Sequence, residues 1–240
     1  MTRTFAIGVD LGTTNSVLAY VPLGGEPGPA RVLEVPQVTA PGSVEALPRL
    51  PSFLYLGLEG EAAGGAYDLP WRTKENRVCG EWARRHSADA AARTVAAAKS
   101  WLCMSRVDRR RPLLPWEAPA EVEKISPVEA TRLLLAHLRS AWEHAMPGHP
   151  LAEQRVVLTV PASFDASARE LTREAALAAG FPEELVLLEE PQAAVYGWLA
   201  GQGEAWRKAL GEGDLLLVAD VGGGTTDFSL IRIEAEAGEL

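Results

Sequence analysis

LLLVADVGGGTTDFSL, Leu215 to Leu230, is the stretch from which the organisation of this 240-residue chain can be read. Five apolar residues, Leu215 to Ala219, form the short unbroken run expected of a buried strand. Asp220 closes the run, and Gly222, Gly223 and Gly224 then offer a sharp turn, with positive φ available and no Cβ in the way. Successive backbone N–H groups in such a turn can converge on an anion. Thr225, Thr226 and Asp227 add two hydroxyls and a second carboxylate. A carboxylate beside a phosphate is repelled unless a cation lies between them, so Asp220 and Asp227 are expected to hold the water shell of a Mg²⁺ ion around a polyphosphate. Taken alone, the stretch reads equally well as a glycine-rich hairpin with a polar tip.

The chain begins with the same design. Phe5 to Val9 (FAIGV) is a mostly apolar strand, and Asp10-Leu11-Gly12-Thr13-Thr14-Asn15-Ser16 follows it. Two strand–Asp–Gly–Thr–Thr turns in one chain suggest a nucleotide gripped from two sides, with one turn from each lobe. The pair resembles the two phosphate loops of the actin-like ATPase superfamily. Val156 to Phe164 (VVLTVPASF) and Glu189-Glu190-Pro191-Gln192-Ala193-Ala194 narrow the resemblance to the DnaK-type, 70-kilodalton heat-shock chaperones. It covers most of residues 4–34 and 126–234 and is weak from about 36 to 124.

The resemblance implies an α/β protein of the actin-like ATPase (ribonuclease-H-like) fold, a mixed sheet with helices on its faces plus an inserted subdomain. It implies ATP or ADP with Mg²⁺ as ligands. Gly12, Thr13, Thr14, Asn15, Gly222, Gly223, Gly224, Thr225 and Thr226 would cradle phosphate, and Asp10, Glu190, Asp220 and Asp227 would face the metal. Thr13, Glu190, Asp220 and Thr225 would act in hydrolysis, with Thr225 helping to place the γ-phosphate or the attacking water. Each has a plainer alternative. Asp10 can be a strand-end carboxylate, Thr13 and Thr14 a simple turn, and Glu190 a helix-end charge attracted by the dipole. The family also carries a lysine in its inserted subdomain that reaches the γ-phosphate. Aligning Gly80-Glu81-Trp82-Ala83 and Ala98-Lys99 with the family pattern puts Arg84 at that position. Arginine keeps the charge but differs in reach and shape. Lys99 then falls on a helix position expected to be structural.

Bulk properties agree with this class. Hydrophobic residues make up 47% and charged residues 23% of the chain, as in an ordinary globular protein. A net charge of −9 disfavours nucleic acid and anionic membranes as main partners. Cys79 and Cys103 are isolated, which suits a reducing cytoplasm rather than a disulfide framework. Met1-Thr2-Arg3 leads directly into a strand, so no secretory leader is expected. His86, His137, His144 and His149 have no ligand spacing and read as solvated or packed. Arg109-Arg110-Arg111 reads as a solvated loop, and Trp71 and Trp116 flank Pro-rich loops that could meet a partner.

In chain order, strands are expected at 5–9, 16–21 and 31–35, with a turn over 22–30, and another strand at 52–56. Residues 81–92 and 93–103 read as helices. Ser126-Pro127-Val128-Glu129 is a capping box opening a helix to about Met146. Strands at 155–160 and 185–188 alternate with helices capped by Asp165 and started by Pro191. The division expected is a first-lobe core at 1–35 and 125–205, an inserted subdomain over 36–124 forming its own layer, and a connector with the opening hairpin of a second lobe over 206–240.

The function expected from the resemblance is that of the N-terminal portion of an ATP-hydrolysing, cytoplasmic, stress-response chaperone. Its partners would be unfolded peptides, J-domain co-chaperones and nucleotide-exchange factors. The 240-residue chain alone is expected to fold but not to turn over ATP, because the family's adenosine-holding segment comes later. A non-catalytic nucleotide-dependent switch or interaction module, or an actin-like filament protein, is the alternative.

Overall fold

The computed structural model describes residues 3–24 and 28–235. The tip of the turn read over 22–30 and residues 236–240 of the last segment lie outside them. β1 (Phe5–Leu11), β2 (Asn15–Pro22) and β3 (Arg31–Val32) come first, then the β4 (Val35–Ala40) and β5 (Ser43–Leu47) hairpin. β6 (Leu50–Pro51), β7 (Leu54–Leu56) and β8 (Arg77–Cys79) lead to α1 (Glu81–His86), β9 (Thr94–Val95) and α2 (Ala98–Trp101). The long α3 (Pro127–Ala145) precedes β10 (Arg155–Val160), α4 (Ala166–Ala178), β11 (Val186–Glu189) and α5 (Glu190–Gln202). A short α6 (Trp206–Ala209) leads to the β12 (Leu215–Val221) and β13 (Thr226–Arg232) hairpin.

The main sheet runs β11-β10-β1-β2-β3, with β6 pairing to β2. β11, β10 and β1 are parallel, and β1, β2 and β3 antiparallel, so the sheet is mixed as expected. Strand alternation sends Ile7, Val9 and Leu11 of β1, with Val156, Leu158 and Val160 of β10, to one face. Leu134, Leu135, Leu138 and Trp142 of α3 lie buried in the same cluster as Ile7 and Leu158. Trp142 is fully buried, stands edge-on to Phe5 and Tyr20, and donates its indole N–H to the His149 carbonyl at 2.7 Å. A Trp body with its one polar atom satisfied is the form in which this residue packs well.

Local signals hold where they are strongest. Ser126 Oγ accepts the Glu129 N–H at 3.0 Å, and Pro127 takes the first turn of α3. The reciprocal half of the capping box is replaced, because Arg132 takes the Glu129 carboxylate. Asp165 Oδ1 accepts the Ala168 N–H at 2.7 Å at the start of α4.

Three expectations need correction. The helix read over 81–92 stops at His86, and the one read over 93–103 is interrupted by β9, which pairs with β7. Long-range pairing there overrides the helix propensity of an alanine-rich stretch. Second, the segment 36–124 does not stand as a layer apart. β6 joins the main sheet, and Leu50, Leu54, Leu56, Val95 and Leu114 share one core with Ile7 and Leu158. Third, the arginine run is solvated only in part: Arg110 and Arg111 are exposed, Arg110 pairing at the surface with Glu174, but the half-buried Arg109 donates to the Leu102 carbonyl and Ser167. Among the described residues no helix is long and apolar enough to cross a membrane.

Candidate functional site

The turn after β1 and the turn after β12 meet. Asp10, Gly12, Thr13, Thr14 and Asn15 from the first line one cavity with Asp220, Gly222, Gly223, Gly224 and Thr225 from the second. Glu190, at the start of α5, and Lys99, on α2, complete its wall. The cavity measures about 180 Å³. Sites that enclose a whole drug-sized ligand run to roughly 300–1,000 Å³, so this one suits a phosphate chain rather than an entire nucleotide.

The glycines serve close approach, not unusual backbone angles. Gly12, Gly222, Gly223 and Gly224 are absent from the positive-φ glycines, which corrects that part of the expectation. A Cβ at Gly12 would lie 2.2 Å from the Asn15 carbonyl oxygen. At Gly223 it would lie 2.8 Å from Thr14 Oγ1, and at Gly224 3.0 Å from Thr13 Cγ2. A Cβ at Gly12 would clash within the first turn itself, while Gly223 and Gly224 bring the two turns together where an added Cβ would be crowded.

Each turn is held from behind. The Ser52 N–H donates to the Thr14 carbonyl and its hydroxyl to the Gly12 carbonyl, at 2.8 and 2.7 Å. Its hydroxyl also meets Ser16 Oγ at 3.0 Å. Ser52 is buried. The second turn closes on itself through the Gly222 N–H to the Thr225 carbonyl at 2.9 Å. Asp10, on the face of β1 opposite the core, accepts from the Thr159 hydroxyl at 2.7 Å. Sequence reasoning missed Ser52 and Thr159, since each acts through a partner distant in the chain.

Three carboxylates face this space. Burial pushes the Glu190 carboxyl up, Lys99 draws it down, and Asp10 and Asp220 push it up again. Glu190 and Lys99 form a close ion pair with both side chains largely buried. Removing one partner of such a pair strands a buried charge, at a cost of about 3–5 kcal/mol. Among the described residues no group of three His, Cys, Asp or Glu side chains is set to hold a metal ion. The donor set instead suits an ion that keeps its own waters, as Mg²⁺ does.

Not every expected residue lines this cavity. Thr226 and Asp227 line a neighbouring space with Lys99, Cys103 and Phe164. Asp227 stands directly opposite Asp220 in the hairpin register. Arg84 is the clear departure. It borders a different cavity, with Arg49, Pro51 and Glu81, that touches the first only through Thr14 and Asn15. Its guanidinium is held by Glu81 through Nε and Nη2, at 2.9 and 2.7 Å, which holds the Glu81 carboxyl below its usual range. Glu81 also takes Arg85 at 2.6 Å. The lysine set aside as structural, Lys99, is the one that reaches the cavity.

A sequence profile described as Hsp70 protein matches residues 70–240. The chaperone protein HscA of Enterobacter sp. is 32% identical over 242 residues, covering 96% of this chain and 33% of that protein. HscA of Pectobacterium atrosepticum is 30% identical over 243 residues, with the same coverage of 96% and 33%. HscA of Escherichia coli is 32% identical over 242 residues. The chain spans about a third of the length of the curated relatives it matches.

Proposed function

The chain belongs to the Hsp70 family, and from that we propose that it is part of an ATP-binding, ATP-hydrolysing, DnaK-like chaperone with the actin-like ATPase fold. The observation that carries the proposal is the meeting of two strand–Asp–Gly–Thr–Thr turns on one cavity. In this reading Gly12, Gly223 and Gly224 let backbone N–H groups close on the phosphates, while Thr13, Thr14 and Thr225 add hydroxyl donors. Thr226 supports the second turn from the adjoining space. Asp10, Glu190 and Asp220, with Asp227 behind Asp220, would hold Mg²⁺ through its waters. Bound there, the metal would supply Lewis-acid stabilisation of the negative charge that develops in phosphoryl transfer.

The chain's own residues do the rest by positioning, which is most of the catalysis in phosphoryl transfer. Ser52 fixes the first turn, Thr159 orients Asp10, and Glu190 orients Lys99. Nucleotide state would control client binding elsewhere in the protein, with unfolded peptides, J-domain co-chaperones and nucleotide-exchange factors as partners in the cytoplasm. Calorimetric titration of ATP with and without Mg²⁺, with an assay of phosphate release, tests the reading in the protein that carries this chain. Mg²⁺-dependent binding with turnover is expected. Binding without turnover would make the site a nucleotide-dependent switch, and no binding would remove nucleotide from the reading altogether.

A further inference from the structure

We propose that the cleft walled by Trp101 and Trp116 is a docking site for an extended, proline-rich peptide that carries a basic residue. It is independent of the nucleotide site. Trp71 and Trp116 both flank proline-rich loops, and the structure separates them. Trp71 packs against the main core and meets the rings of His137 and His144. Trp116 stays 53% exposed, although an indole is among the largest apolar surfaces a side chain can bury. It lies against Trp101, with ring centroids 4.9 Å apart and planes 34° from parallel. The two indoles border a cleft of about 390 Å³ with Ala92, Val95, Leu114 and Glu117. Ligand-binding clefts run to roughly 300–1,000 Å³.

The cleft is held open by the fold. Leu114 and Ile125 are buried in the core and exchange two backbone bonds, at 2.9 and 2.8 Å, where the loop 115–124 leaves and returns. Lys124 Nζ donates to the Trp116 carbonyl at 3.2 Å, across the same loop. Trp101 stands on α2 and packs against the main core. Aromatic anchors fixed in this way lose little freedom on binding.

The chemistry of the walls selects the occupant. Proline rings of a polyproline II helix lie flat on aromatic side chains, and the carbonyls of that helix have no internal donors. Trp101 and Trp116 offer two adjoining rings. The Trp142 indole N–H is taken by the His149 carbonyl, whereas among the described residues no protein acceptor engages those of Trp101 and Trp116. Strand addition is poorly served, because β9, which lines the cleft, is two residues long. Glu117 is the one charged side chain lining the cleft, and Glu121 follows, exposed, on the same loop. Arg93, between Ala92 and Thr94 in the chain, does not line it. An arginine or lysine beside the prolines would therefore meet a carboxylate with no cation beside it on the cleft wall.

The test titrates fluorescein-labelled decaproline, with an arginine at each end, into the protein that carries this chain and follows anisotropy. Decaproline without arginine, and a Gly-Ser peptide of equal length with the same arginines, are the comparisons. Saturable binding of the arginine-flanked decaproline is expected, at least about tenfold tighter than that of the Gly-Ser peptide. Trp116→Ala should weaken it about tenfold or more, with a urea midpoint close to the parent's because the ring is mostly exposed. Glu117→Gln should weaken the arginine-flanked peptide about two- to fivefold and leave unflanked decaproline unchanged. If Trp116→Ala fails to fold, Glu117→Gln and Trp116→Phe, which keeps a ring against Trp101 and should weaken binding by less than alanine, carry the comparison. No saturable binding, equal binding of the Gly-Ser peptide, or full affinity in Trp116→Ala would overturn the proposal. So would a Trp116-dependent dimer in sedimentation that excludes the peptide, which would give the cleft to a second copy of this chain. Equal losses for both proline peptides in Glu117→Gln would overturn the basic residue in the assignment.

Discussion

The hydroxyl of Thr159 donates to Asp10 Oδ1 at 2.7 Å, across the parallel pairing of β10 and β1. Both residues sit on the face of the sheet away from the core, so the bond contributes little to packing. What it does is choose the orientation of the Asp10 carboxylate at the edge of the cavity. Thr159→Val keeps the shape and removes the donor. Mg²⁺-dependent turnover should fall several-fold, while urea unfolding shifts by less than about 1 kcal/mol, since the bond is solvent-exposed. A large stability loss with unchanged turnover would show that the threonine serves the sheet instead.

Asp220 faces Asp227 directly across the β12–β13 hairpin. Like charges in that relation destabilise a sheet. A hairpin that keeps them gains when a cation is near. Asp220→Asn should therefore leave stability unchanged or slightly raised, and weaken Mg²⁺-dependent turnover by tenfold or more. Parallel urea titrations and phosphate-release assays check both halves. Unchanged turnover would take Asp220 out of the site.

The parts of this molecule that were legible in its sequence are those whose cause is local. The Asp–Gly–Thr–Thr turns announce themselves within a few residues, and the Ser126 and Asp165 caps do so within one helical turn. The illegible parts depend on contacts between distant segments. Residues 94–95 follow three alanines and an arginine, yet they are extended because Leu54 and Tyr55 offer a sheet edge. Ser52 has no motif of its own, and its role exists only because β6 carries it to the first turn. Alignment with the family pattern puts Arg84, not Lys99, at the place of the family's lysine. The choice between them depended on whether Glu81 or the cavity took the arginine, which spacing does not encode.

His137 gives the fold a dependence on pH. It is 4% exposed, with Nε2 at 2.9 Å from the Pro36 carbonyl and Nδ1 without a partner. Trp71 stands edge-on to the ring. Burial, followed by the charge of Arg72, lowers its pKa from 6.5 to about 4, against a smaller opposing effect of the Pro36 bond. The folded chain thus accepts the neutral ring and the unfolded chain takes the proton first. Stability contributed by this residue is intact above pH 6.5 and is lost as pH falls from there toward about 4. Between pH 7 and 5 the loss should be about 2 kcal/mol. His137→Gln keeps a donor for Pro36 and cannot titrate, so its urea stability should fall less over the same interval. Parallel slopes for parent and variant would mean that the ring is hydrated.

Gly223 tests whether contact between the turns matters to function. Its φ lies outside the left-handed region, so alanine there is free of backbone strain. The obstacle is Thr14, whose Oγ1, Cβ and Cγ2 would lie 2.8, 3.2 and 3.2 Å from an added Cβ. Rotating the threonine side chain moves Oγ1 and Cγ2 but not its Cβ at 3.2 Å, so the turns must give by a few tenths of an ångström. The hairpin is mostly exposed, with Leu217 at 59% and Phe228 at 69%, so this movement should cost the fold little. Catalysis by positioning is less forgiving, because a misplacement of about 1 Å can cost on the order of 100-fold. Gly223→Ala should therefore lower single-turnover hydrolysis several-fold with the urea midpoint unchanged. Full activity in that variant would mean that the two turns stand apart when the protein works.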